Sequence, residues 1–109
     1  MKLVNRGYLI VKPTEKFKNW ANATNSELFL SDVTSEASCY LIEEEFWDDD
    51  VLIEKYFKKI CKQEFFPVSQ DAESWPSIEN TGDFLEYFTT EIGSFVYDLL
   101  TKDLTRENA

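Results

Sequence analysis

The chain has 109 residues, a net charge of −10, and 43% hydrophobic side chains that include 9 Phe, 5 Tyr and 3 Trp. That length suits one domain, and that aromatic content sets it apart from a disordered acidic chain. It contains no histidine, three isolated glycines and two cysteines, which excludes imidazole-dependent catalysis, HExxH zinc sites, glycine-rich phosphate loops and a disulfide framework.

In chain order, residues 7–12, Gly-Tyr-Leu-Ile-Val-Lys, form a β-branched and aromatic run that Pro13 ends, so they predict a strand, which can begin as early as Leu3. Thr14 is an N-cap for a short helix carrying Phe17, Trp20 and Ala21 at helical spacing and ending in residues 22–25. Leu28-Phe29-Leu30 suits an edge strand or a turn, and periodicity does not choose between them. Residues 38–44, Ser-Cys-Tyr-Leu-Ile-Glu-Glu, match the first strand in composition and are expected to pair with it.

Asp48-Asp49-Asp50 precedes the clearest helix, residues 51–66. Ile53, Tyr56, Phe57, Ile60 and Cys61 share one face, Lys55, Lys58, Lys59 and Lys62 the other, and Pro67 stops the helix. Residues 68–82 read as an extended loop anchored by Trp75-Pro76. A last helix is expected from Asp83, as N-cap, to about Leu100, with Phe84, Leu85, Phe88, Ile92, Phe95, Val96 and Leu99 as its apolar stripe. The fold class expected is α+β: a two-layer sandwich, with a small sheet of two or three strands packed against three helices, or a ferredoxin-like variant. Surface scaling for this mass leaves roughly 6,300 Å² exposed of about 18,600 Å² in the extended chain.

The charge is unevenly distributed. Residues 19–54 carry ten acidic and no basic side chains, whereas residues 55–62 carry four lysines. Such a field disfavours nucleic acid and anionic membranes and favours a basic protein partner. Arg6 and Gly7 would fall inside the apolar region of any signal peptide, and no apolar run approaches 18 residues, so a cytoplasmic protein is expected and the Asn22-Ala23-Thr24 sequon carries no meaning. Cys39 and Cys61 are expected to pack as small hydrophobes.

Two groups of residues stand out as candidate sites, and both have a structural reading as well. The run Glu43-Glu44-Glu45-Phe46-Trp47-Asp48-Asp49-Asp50 lacks the alternating ligands and glycine of a calcium loop. It reads as a strand end plus helix cap, or as a patch in which Glu44, Asp48, Asp49 and Asp50 surround Phe46 and Trp47 for a basic partner. On the expected last helix, Tyr87, Glu91, Ser94 and Asp98 form a polar strip, with Glu91 and Asp98 about 10.5 Å apart along the axis. Beside Trp75 this strip reads as a ligand-binding or general-base site, or as a buried carboxylate with a structural partner.

Several of these segments together resemble a group of small acidic bacterial proteins of uncharacterised function. They are Tyr8-Leu9-Ile10-Val11-Lys12-Pro13 with Phe17 and Trp20, Cys39-Tyr40-Leu41-Ile42 before the acidic run, Glu73-Ser74-Trp75-Pro76, and Phe84 with Phe88, Glu91, Ser94, Val96, Asp98 and Leu99. The resemblance implies an α+β domain, supplies no activity, and directs attention to Trp75, Glu91, Ser94 and Asp98. The function expected from the sequence is a non-enzymatic acidic binding module, inhibitor- or immunity-type, without a cofactor. The alternatives are a small ligand-binding protein or enzyme using Glu91 and Asp98, with a divalent cation if any metal takes part, and a DNA mimic. Uncovered sheet edges would favour a homodimer.

Overall fold

Leu9, Val11 and Pro13 are buried while Lys12 between them is exposed, the period-two signature of a strand with one face on a core. In the computed structural model, which describes residues 1–25 and 36–109, this segment is the central strand of the sheet. The elements are β1 (Lys2–Val4), β2 (Gly7–Pro13), α1 (Glu15–Thr24), β3 (Ser38–Ile42), α2 (Asp49–Phe65), α3 (Thr81–Tyr87), β4 (Phe88–Gly93) and β5 (Val96–Asp98), with one 3-10 turn at Ala72–Ser74. The strand order β3-β2-β4 is antiparallel throughout, without the parallel crossover of a ferredoxin-like sheet. The expected run Leu28-Phe29-Leu30 lies outside the described residues.

The molecule is α+β in two layers. The inner sheet face, with Leu9, Val11, Ile42 and Phe88, packs against Phe17 and Ala21 of α1, Leu52, Ile53, Phe57, Ile60, Cys61 and Phe65 of α2, and Phe84 of α3. The amphipathic face of α2 is buried as its spacing requires, and its four lysines stay exposed. Thr14 caps α1 as expected, accepting the Phe17 amide at 3.5 Å; its hydroxyl also donates to the Glu86 carbonyl at 2.7 Å, tying α1 to the end of α3.

The expected helix to Leu100 does not form. The helix stops at Tyr87, and the following residues continue as β4 and β5. Asn80, not Asp83, is its N-cap; the Asn80 side chain accepts the Asp83 amide at 2.9 Å. The reason lies in the sheet: β2 needs a partner on its second edge, and Phe88, Thr90 and Ile92 alternate as well as any strand, placing Phe88 fully in the core and Thr89 and Glu91 in solvent.

β1 and β5 pair antiparallel as a two-stranded ribbon that continues the β2–β4 ladder. Its register is shifted by one residue: Tyr8 faces Gly93, whereas Val4 faces Val96. Three residues separate Val4 from Tyr8 and two separate Gly93 from Val96, so the extra residue acts as a bulge and re-aims the ribbon. The accessible surface is 8037 Å², above the roughly 6,300 Å² expected from mass, and the ribbon's Leu3, Phe95 and Tyr97 and the following Leu99, Leu100 and Leu104 are all exposed. Cys61 is buried, but Cys39 is exposed: it faces away from the helices on the uncovered sheet face, so it does not pack as a core residue.

Two glycines permit the ribbon's base. A Cβ on Gly7 would lie 2.8 Å from the Glu43 carbonyl oxygen and 2.9 Å from that of Gly93, both fixed backbone atoms. A Cβ on Gly93 would meet the Tyr8 ring at 2.3 Å, but the ring belongs to a half-buried side chain that can swing aside. Gly7→Ala is therefore expected to destabilise by about 2–3 kcal/mol and Gly93→Ala by about 1 kcal/mol or less, measured by urea denaturation.

Candidate functional site

β3 ends at Ile42, opposite Gly7, and the chain crosses residues 43–48 to reach the N-cap of α2. Two contacts hold the start of this turn. Glu43 accepts the Tyr56 hydroxyl at 2.5 Å and pairs with Lys55 at 3.0 Å, so both α2 residues grip one carboxylate. Phe46 then folds inward, with its ring 3.2 Å from the Cβ position of Gly7. With Phe46 turned in, Trp47 is directed out and is fully exposed, at 103%.

Glu44, Glu45, Asp48, Asp49 and Asp50, all within three residues of Trp47 in the chain, are all exposed. Asp48 takes the Asp50 amide at 2.8 Å as the helix cap, and Asp49 and Asp50 lie in the first turn, where the helix dipole favours negative charge. Among the described residues none of these five carboxylates has a cation within ion-pair distance. The structural reading and the binding reading of this run therefore coexist: the aspartates cap a helix and still present unpaired charge.

The turn also sits at the root of the ribbon, since the Gly93 carbonyl and the Phe46 ring approach the same glycine. Leu3 faces Tyr97 across the ribbon, and Phe95 lies two residues from Tyr97 on the same side. All three are exposed, and the Phe95 and Tyr97 rings stack at 6.5 Å. A helix over residues 83–100 would place Phe95 in a core stripe, whereas β4 and β5 leave it exposed on this face. The β-branched Thr89-Thr90 pair followed by Ile92 was the sequence signal for a strand there.

The second candidate strip is dispersed. Glu91 is exposed on β4 opposite Ile10, on the sheet face away from the helices, and Ser94 is exposed in the break between β4 and β5. Asp98 is half-buried opposite Lys2 and accepts the Leu100 amide at 2.9 Å. Trp75 lies on the helical side, its indole N–H donating to the Ser69 carbonyl at 2.7 Å and its ring 5.9 Å from Phe65. Glu91 is thus neither buried nor beside Trp75, because a strand sends residues three apart to opposite faces. Among the described residues no group of three or more Cys, Asp or Glu side chains is gathered to hold a metal ion, and no helix is long and apolar enough to cross a membrane.

A polar cluster that sequence reasoning missed lies along β3. Tyr40 donates to Glu64, which also accepts from Ser38 at 3.2 Å. Burial, then Glu64, pushes the Tyr40 hydroxyl up, and the same two causes raise the neighbouring Cys61 thiol to about 12. Both groups stay protonated at neutral pH, so the cluster is a structural clamp between α2 and β3, not a source of nucleophiles.

The Tyr56 hydrogen bond, the residue's own amide and Lys55 together lower the Glu43 carboxyl from 4.5 to about 2. A carboxylate depressed in the folded state contributes stability above its unfolded value, and that contribution is lost as pH falls from about 4.5 toward 2. Glu43→Gln should therefore narrow the difference in unfolding free energy between pH 6 and pH 3, by under about 1 kcal/mol because the group is solvent-screened, measured by urea titration at both pH values. Comparison of the chain with family models, curated proteins and solved structures finds no match.

Proposed function

We propose that the protein is a non-enzymatic binding module, inhibitor- or immunity-type, whose acidic turn captures a basic protein partner. The observation that carries this reading is Trp47: an indole fully in solvent, flanked on both sides in the chain by exposed carboxylates that have no cationic partner among the described residues. A tryptophan can bury roughly 200 Å² on binding, and tryptophans at the centre of a patch are the side chains most often found to dominate an interface. The surrounding charge steers a basic surface toward it and sets orientation. Glu44 and Asp48–Asp50 form the rim, with the partly buried Phe46 as the inward-turned support beside Trp47.

The dispersal of Glu91, Ser94, Asp98 and Trp75 leaves the small-ligand reading without a shared pocket. A DNA mimic needs an extended acidic track, and the exposed lysines of α2 interrupt the charge directly after the aspartates. Two unpaired thiols suit a reducing compartment, which supports a cytoplasmic setting.

A partner retained from lysate on immobilised protein at low salt should be released by about 0.5 M salt, where the screening length is only a few ångströms. It should also be lost with Trp47→Ser and with the triple change Asp48→Asn, Asp49→Asn, Asp50→Asn. Asparagine caps as well as aspartate, so the triple variant keeps α2, which circular dichroism verifies. Retention by the triple variant would overturn the reading.

The exposed ribbon face supports a homodimer as well, since a two-stranded ribbon is marginal in water and Leu3, Phe95 and Tyr97 need cover. Sedimentation across a concentration series is expected to show a dimer, and Phe95→Ser with Tyr97→Ser a monomer. A wild-type chain that stays monomeric throughout would remove the homodimer.

A further inference from the structure

Strand β3 is an edge of its sheet: its partner among the described residues is β2. α2 runs antiparallel to it, since Tyr56 reaches Glu43 just past the strand's end and Glu64 reaches Ser38 and Tyr40 at its start. Between strand edge and helix lies a cavity of about 500 Å³. All five residues of β3 line it, although alternate ones point to opposite faces of the sheet. Only an opening along the backbone edge meets both sets. The helix contributes Tyr56, Lys59, Ile60, Gln63 and Glu64, which fall on a single helical face. A strand edge facing a helix across a gap is the geometry into which an extended peptide adds itself as a further strand.

Two more residues line the cavity: Leu9 of β2 at its floor, and Ala109. Ala109 belongs to the segment that follows β5, residues 99–109, which forms neither helix nor strand and is exposed throughout. Because Ala109 itself lines the cavity, the segment that leaves β5 at Asp98 already returns from the ribbon to β3. We propose that the groove is a strand-addition site and that its occupant is the chain's own segment 102–109, paired with the free edge of β3. In a strand, the face that carries Ala109 also carries Thr105 and Glu107, which suits the Lys59 wall of the helix, while Leu104 falls on the other face beside exposed Leu41. The proposal rests on residues other than the acidic rim and stands apart from the reading of Trp47.

The test is amide hydrogen exchange on the full chain, read residue by residue along β3. Alternate β3 amides point away from β2 and are protected only if another strand pairs with them. In the chain with Thr105→Pro, which removes a donor at an exposed position, these amides should exchange at least tenfold faster, with the β2-facing amides unchanged. A peptide of sequence Lys-Asp-Leu-Thr-Arg-Glu-Asn-Ala, added to that variant, should restore the protection, while the same peptide with proline at its fourth position should not. Equal exchange in the two chains, or failure of the peptide to restore it, overturns the proposal. Protection in the unaltered chain that disappears on dilution assigns the groove to a second copy's segment and overturns the assignment within one chain.

Discussion

Phe65 is the contact on which the rest of the structure depends. Fully buried near the end of α2, it has the rings of Phe17, Trp20, Trp75, Tyr87 and Phe88 within 5.1 to 6.3 Å, drawn from α1, the loop before α3, α3 itself and β4. Each such pair adds about 0.5–1.5 kcal/mol beyond the area it buries. More important is their convergence: one side chain at the end of α2 gathers α1, the loop before α3, α3 and β4 around it. Trp75 takes part in this packing, its ring against Phe65 and its N–H bound to the Ser69 carbonyl, so the loop aromatic anchors the fold.

The core ends abruptly at Gly7. Beyond it no helix among the described residues covers the ribbon, and the one-residue shift between the two ladders carries β1 and β5 out with Leu3, Phe95 and Tyr97 exposed. The tightness at Gly7 also brings three separate strand ends together, so the acidic turn and the root of the ribbon share one end of the molecule. A charged rim with a protruding indole beside an apolar ribbon is an arrangement suited to a partner that presents both a basic and an apolar surface.

Electrostatics divides the surface without deciding the fold. The lysines of α2 and the acids before it are adjacent in sequence, yet the single ion pair that links them among the described residues is Glu43 to Lys55. That pair, with Tyr56, draws one carboxylate out of the acidic group to fasten the turn, and leaves the remaining five unneutralised. The second fastening, Glu64 to Tyr40 and Ser38, binds the other end of α2 to β3. The groove lies along the stretch of helix and strand edge that these two clamps bracket.

Much of this was legible in the sequence. The alternation of residues 7–13, the capping threonine at 14, the strand at 38–42 and the two-faced pattern of α2 all express local periodicity or local chemistry, which the chain carries within a few residues. So was the acidic turn, because its charge is contiguous. The last third was not, since Phe84, Phe88, Ile92 and Phe95 satisfy a helical period while Phe88, Thr90 and Ile92 satisfy a strand period equally well. What decided between them was β2, some 80 residues away in the chain, whose open edge hydrogen-bonds residues 88–93 and forces the strand. By itself the sequence determined the α+β class, the apolar face of α2 and the acidic character of the turn. Tertiary pairing alone decided that Glu91, Ser94 and Asp98 would be scattered, that Trp47 would stand in solvent, and that Phe95 and Tyr97 would be surface instead of core, because a backbone edge left unpaired outweighs a local preference for helix.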